Sequence, residues 1–152
     1  MDRKKLGIDA FTKGYNCCQS VVFAFKNDLP LDENTLLDLS VGFGAGFART
    51  RNICGTVSAM GIVTGLLTKK TGDVKKDKDE SYKLLQDLIN QFIDENSTII
   101  CGELLKNLKV STTPISEERT KEYYKVRPCA KFVEDSIEIL EKYLIENGLI
   151  NE

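Results

Sequence analysis

Apolar positions recur every three to four residues along most of the chain, and no stretch alternates apolar and polar between glycine or proline punctuation. This pattern predicts an all-α fold: one compact helical bundle of about six to eight helices, a single domain over residues 1–152. Asp2 to Lys13 reads as a short first helix stopped by Gly14. Asn16 is a good N-cap for a second helix through Lys26, and Pro30 closes its exit. Asp32 caps a third, in which Leu36, Leu37, Leu39 and Ser40 lead into Gly42-Phe43-Gly44-Ala45-Gly46. A fourth spans about Cys54 to Thr68. Thr71 to Asp79 mixes lysines with Asp73, Asp77 and Asp79, as a solvated loop does. Beyond it, Leu84, Leu85, Leu88 and Phe92 fall on one stripe of an amphipathic helix at about Glu80 to Asp94. Cys101 opens a shorter helix over Leu104, Leu105 and Leu108. Pro114 and Ser116 announce another at Glu117 to Lys125, and the last runs from Arg127-Pro128 to Gly148, with proline in its first turn.

A chain of 152 residues buries a real core without disulfide staples, so its five cysteines are not needed merely to hold it folded. Lys+Arg 21 against Asp+Glu 23 leaves a net charge of −2, which excludes the strongly basic face of a nucleic-acid binder. The N-terminal sequence carries positive charge with no apolar stretch behind it, so a cytoplasmic location is expected. The longest apolar run, Ile53 to Leu67, is 15 residues with three glycines, short of a membrane span, which takes about 20.

An odd number of cysteines in a reducing compartment points away from a disulfide framework and towards metal binding or redox chemistry. For any one of them taken alone, inert packing is the better reading. Their placement changes that. Cys17 follows the cap Asn16, Cys54 begins the fourth helix, Cys101 begins a helix and Cys129 follows Pro128. All four are expected near helix N-termini, where unpaired N–H groups and the helix dipole stabilise a thiolate. Cys129 shares a stripe with Val133, Ile137, Leu140 and Leu144, so these thiols face inward. Behind Cys54, the small residues Ser58, Gly61 and Gly65 invite close approach of a second helix.

The absence of histidine removes the Cys–His dyad, the imidazole base and the His metal ligand. A thiol-rich site without histidine favours soft ligation, by an iron–sulfur cluster or Cys₄ zinc, or thiol–disulfide exchange. The intervals of 37, 47 and 28 residues between the four contain no C-x-x-C. Gly42 to Phe47 fails the dinucleotide fingerprint, since Phe47 stands in the last glycine position, and reads as a tight turn bringing the chain back towards Cys54. Arg49 and Arg51 flank that turn and can stabilise a thiolate or a bound anion. Glu117, Glu118, Asp135 and Glu138 form no evident catalytic pair and read as polar helix faces.

Tyr15-Asn16-Cys17-Cys18-Gln19-Ser20, the glycine-rich stretch, Cys54-Gly55-Thr56-Val57-Ser58-Ala59, Cys101-Gly102-Glu103 and Cys129 together resemble the C_GCAxxG_C_C family of proteins described as redox-active. The resemblance spans nearly the whole chain and implies that the marked cysteines are Cys17, Cys54, Cys101 and Cys129, with Cys18 as the extra one. Thr56 stands where the family motif has alanine, and Ala59 where it has glycine. Some relatives lie near oxidoreductase or transporter genes, which implies an oxidoreductase or electron-transfer protein as partner.

The leading expectation is therefore a redox-active cysteine protein in which Cys17, Cys54, Cys101 and Cys129 ligate an iron–sulfur cluster or zinc, or cycle between dithiol and disulfide, with Cys54 and Cys17 as the reacting thiols. The alternative is a helical accessory module of an oxidoreductase or transporter, with buried structural cysteines. Cys54 is expected to be the most reactive, with Gly55 leaving its sulfur open and Arg49 and Arg51 favouring the thiolate.

Overall fold

The computed structural model describes residues 2–152. It is an all-α bundle of eight helices among the described residues: α1 (Arg3–Thr12), α2 (Cys17–Ala24), α3 (Glu33–Ser40), α4 (Gly55–Leu67), α5 (Val74–Asn96), α6 (Cys101–Leu104), α7 (Lys121–Val126) and α8 (Cys129–Glu146). The starts of the first three follow from local chemistry. Asp2, Asn16 and Asp32 each accept a hydrogen bond from the amide three residues on, and Gln19 reaches back to the Asn16 amide to complete a capping box.

Helix α2 is apolar on nearly every side and lies at the centre, packed by α1, α3, α4 and α8, while α5 lies across α4 and α8. Val21, Val22, Met60, Val63, Phe92, Ile137 and Leu140 are fully buried between them. Each such side chain contributes roughly 1.5–3 kcal/mol relative to an exposed one. Arg3 is buried as well, held by both carboxylate oxygens of Asp28, by Glu141 and by the Asn151 carbonyl, so its charge is fully partnered.

Three expected elements differ. Helix α5 starts at Val74, not near Glu80, because Asp73 caps it and Lys75–Asp79 and Lys76–Glu80 pair one turn apart at 2.6 and 4.0 Å. Its first turns are helix without burial, which a search for an apolar stripe passes over. Residues 105–120 hold no helix, and α7 is a short segment capped by Thr120. Gly61 and Gly65 do not serve a close approach: the nearest atom to a Cβ on Gly61 is 3.9 Å away, and none lies within 4 Å at Gly65.

Two non-helical features place the site. An isolated antiparallel bridge joins Ile53 to Ile100, with the Cys54 amide donating to Ile99 O and the Cys101 amide to Asn52 O. It draws Cys54 and Cys101 together although 47 residues separate them. Before it, Ala45, Gly46, Phe47, Ala48 and Arg49 all have positive φ, as does Arg51. Left-handed backbone costs non-glycine residues about 1–2 kcal/mol each, so the segment stores strain beside the cysteines.

Candidate functional site

Cys17 is the first residue of α2, Cys54 is the N-cap of α4, and Cys101 and Cys129 are the first residues of α6 and α8. Pro128 is itself the N-cap of α8, one position earlier than expected. All four sulfur-bearing residues line one cavity of about 400 Å³, walled by Phe11, Leu104, Leu105 and Phe132 on its apolar side. Cys18 does not line it. Its side chain points into the core, fully buried, and burial pushes its thiol far above the ordinary range.

Cys17 and Cys54 line the cavity together, and the Cys54 thiol is the largest influence lowering the Cys17 pKa. Three backbone amides, those of Ala45, Cys18 and Gly55, are also directed at the Cys17 sulfur. The contact depends on Gly55: a Cβ there would lie 2.6 Å from Cys17 Sγ and 2.8 Å from the Phe43 carbonyl oxygen. The Cys54 thiol and these amides pull the Cys17 pKa down to about 6. Cys54 moves the opposite way, well above its usual value, because of the neighbouring Cys17 side chain, its own burial and the Cys17 charge. Thr56 Oγ1 lies 3.1 Å from Cys54 Sγ.

The shifts run against the expected order of reactivity: the Cys17 thiol is pulled down and the Cys54 thiol pushed up. Gly55 does not open the Cys54 sulfur to solvent, because Cys17 fills the space its missing side chain leaves. Nor do the two arginines serve Cys54. Arg51 Nη1 lies 3.8 Å from Cys101 Sγ and its Nε donates to Ser111 O, while Arg49 pairs with Glu117. Burial raises the Cys101 thiol in spite of Arg51, and pushes Cys129 up to about 12. At Cys17 the lowering comes first from the Cys54 thiol, with the Ala45, Cys18 and Gly55 amides adding to it against desolvation; at Cys101 and Cys129 a helix N-terminus does not offset burial.

Sequence reasoning named Arg49 and Arg51 as anion-stabilising candidates but missed the wall they build with Arg127 around Glu117. Glu117 lies on no helix; Arg49 at 3.0 Å, Arg127 at 3.2 Å and Arg51 at 3.7 Å surround it and hold its carboxyl below the usual range. Arg119 stacks over the rings of Phe11 and Tyr123 at 4.6 and 4.9 Å and donates to the Phe11 and Tyr15 carbonyls. The local signals were Arg49 and Arg51 beside the turn and Arg127, two residues before Cys129.

The four thiols share the cavity but are not drawn in as a ligand set. Among the described residues, no three Cys, Asp or Glu side chains meet in a group able to hold a metal ion. The arrangement as it stands gathers no ligand set for an iron–sulfur cluster or Cys₄ zinc among the described residues. What it supports chemically is a thiolate backed by a second thiol. Iodoacetamide labelling of Cys17 in reduced protein is expected to rise with pH through a midpoint near 6, more than two units below that of a free thiol at about 8.5. Mass-spectrometric rate measurements between pH 5 and 9 check it; a midpoint above 8 contradicts the amide pocket.

The sequence profile of a family described as "Putative redox-active protein (C_GCAxxG_C_C)" matches residues 15–143, from the turn before Cys17 to the body of α8. No curated protein and no solved structure matches the chain. Among the described residues no helix is long and apolar enough to cross a membrane.

Proposed function

We propose, from the premise that the chain belongs to the C_GCAxxG_C_C redox-active family, that Cys17 and Cys54 carry out reversible two-electron thiol–disulfide exchange. The observation that carries this reading is the placement of Cys17 and Cys54 at the adjoining N-termini of α2 and α4, lining one cavity, with Gly55 leaving the room the Cys17 sulfur fills. The Cys17 thiolate attacks a disulfide sulfur; a Cys17–S–S–R bond forms, the substrate S–S bond breaks, and the first thiolate leaves. Capture of Cys17 removes the negative charge that held the Cys54 pKa up. Cys54 then gives its proton to the departing thiolate and attacks the Cys17 sulfur, releasing the second group as a thiolate that takes its proton from water. Thr56, which replaces the motif's alanine, donates its hydroxyl to the Cys54 sulfur as charge develops there. The protein loses two electrons and the disulfide gains two. A dithiol of an electron-transfer partner restores the pair by the reverse steps. Cys101 and Cys129 remain protonated in this scheme, kept so by burial.

Equilibration in buffers of defined thiol–disulfide potential tests the reading, with free thiols counted after denaturation. The thiol count is expected to fall from five to three in one two-electron transition, in protein purified anaerobically without stoichiometric iron or zinc. Five thiols across the whole range would leave a helical accessory module with buried cysteines as the better reading.

A further inference from the structure

The polar wall of the cavity has more cation than its own carboxylate balances. Arg49, Arg51 and Arg127 converge on Glu117 alone, a net charge of +2 at that wall, and Arg119 nearby is held by carbonyls and rings with no carboxylate partner among its contacts. The Arg51 side chain is only 8% exposed. Its Nη2 lies within ion-pair range of Glu117 at 3.7 Å but makes no hydrogen bond among the described residues. A buried guanidinium nitrogen without an acceptor costs free energy unless something supplies one. It lines the same cavity as Cys17, together with the apolar side chains of Leu104, Leu105 and Phe132. Glu117 shows which chemistry the three arginines accept: a planar carboxylate, taken by Arg49 through two nitrogens at 3.0 and 3.4 Å.

We infer that this cavity binds a small carboxylate-bearing disulfide, its carboxylate on Arg51 and Arg127 beside Glu117, its carbon chain on the apolar wall and its sulfur at Cys17. The inference rests on the exchange reading and names its substrate class. Its volume, about 400 Å³, suits a small molecule and lies at the low end for such sites. The balance is that of the exchange already described: one disulfide is reduced to two carboxylated thiols as Cys17 and Cys54 are joined.

The test uses the reduced, intact chain and three aliphatic disulfides: 3,3′-dithiodipropionate (anionic), 2-hydroxyethyl disulfide (neutral) and cystamine (cationic). Each oxidation rate is divided by that of the same disulfide with dithiothreitol at the same pH, which removes intrinsic reactivity. The normalised rate with dithiodipropionate is expected to exceed the neutral rate at least tenfold, with cystamine slowest. Arg127→Gln and Arg51→Gln each shrink that preference severalfold; Arg127→Gln serves where the buried Arg51 variant does not fold. Equal normalised rates, or a faster neutral disulfide, overturn the carboxylate site and leave exchange standing. If none of the three reacts, the exchange reading fails, and glutarate decides the site separately. Saturable protection of Cys17 from iodoacetamide by glutarate keeps the carboxylate site, and no protection removes it.

Discussion

Replacing Cys17 with serine is expected to slow labelling of the reduced protein by iodoacetamide at pH 7 about a hundredfold, and to abolish two-electron exchange. A thiol of pKa about 6 is some 90% thiolate at pH 7, whereas one near 12, like Cys129, is ionised about once in 10⁵ molecules. The greater intrinsic nucleophilicity of the more basic thiolate recovers roughly three of those powers of ten, which leaves a factor of about 10². Cys54 does not simply take over. Serine removes the charge that raises the Cys54 pKa, but burial and the lack of a second thiol remain. Cys18→Ser is the informative neighbour: Cys18 is fully buried away from the cavity, so that change is expected to cost stability and leave the labelling rate within about twofold. Labelling that persists in Cys17→Ser and vanishes in Cys18→Ser would reverse the assignment.

The second large effect is Gly55→Ala. The new Cβ meets the Cys17 sulfur at 2.6 Å, the Phe43 carbonyl at 2.8 Å and the Cys18 amide nitrogen at 3.1 Å. Two of these are backbone atoms on packed elements, so α4 must move away from α2. Overpacking of this kind costs about 1–3 kcal/mol. The displacement also takes the Gly55 amide and the Cys54 thiol away from Cys17, so the labelling midpoint should climb towards that of a free thiol. Gly61→Ala, on the same helix, meets nothing closer than 3.9 Å and should gain roughly 0.5–1 kcal/mol from helix propensity. Thermal unfolding and the labelling profile of the two variants, side by side, separate a general effect of alanine in α4 from the contact itself. Loss of stability with an unchanged labelling midpoint would mean that the Gly55 approach matters to packing and not to the thiolate.

Local chemistry was legible in the chain. Asn16 with Gln19, Asp32 with Thr35, and the cysteines following their caps are contacts within one helical turn, and the letters alone specify them. The long-range terms were not. That Arg51 turns inwards to Cys101 and Ser111, and that Glu117 leaves its expected helix for a socket of three arginines, depends on the Ile53–Ile100 bridge and on a run of left-handed residues that no propensity favours. The ranking of the thiols rested on local features that the structure uses otherwise. Sequence offered Cys54 a glycine and two cations, but the glycine admits Cys17 and the cations bind elsewhere. Distinguishing Cys17 from Cys18 needed the family motif in sequence, and in the structure it follows from the orientation of α2.

The most direct test of the account is to map the disulfide formed when anaerobically reduced protein is oxidised by one equivalent of a small disulfide, quenched in acid and digested. The account predicts a single major linked species, Cys17 joined to Cys54, with Cys18, Cys101 and Cys129 still free. A Cys101–Cys129 link, or a mixture without preference, would contradict it.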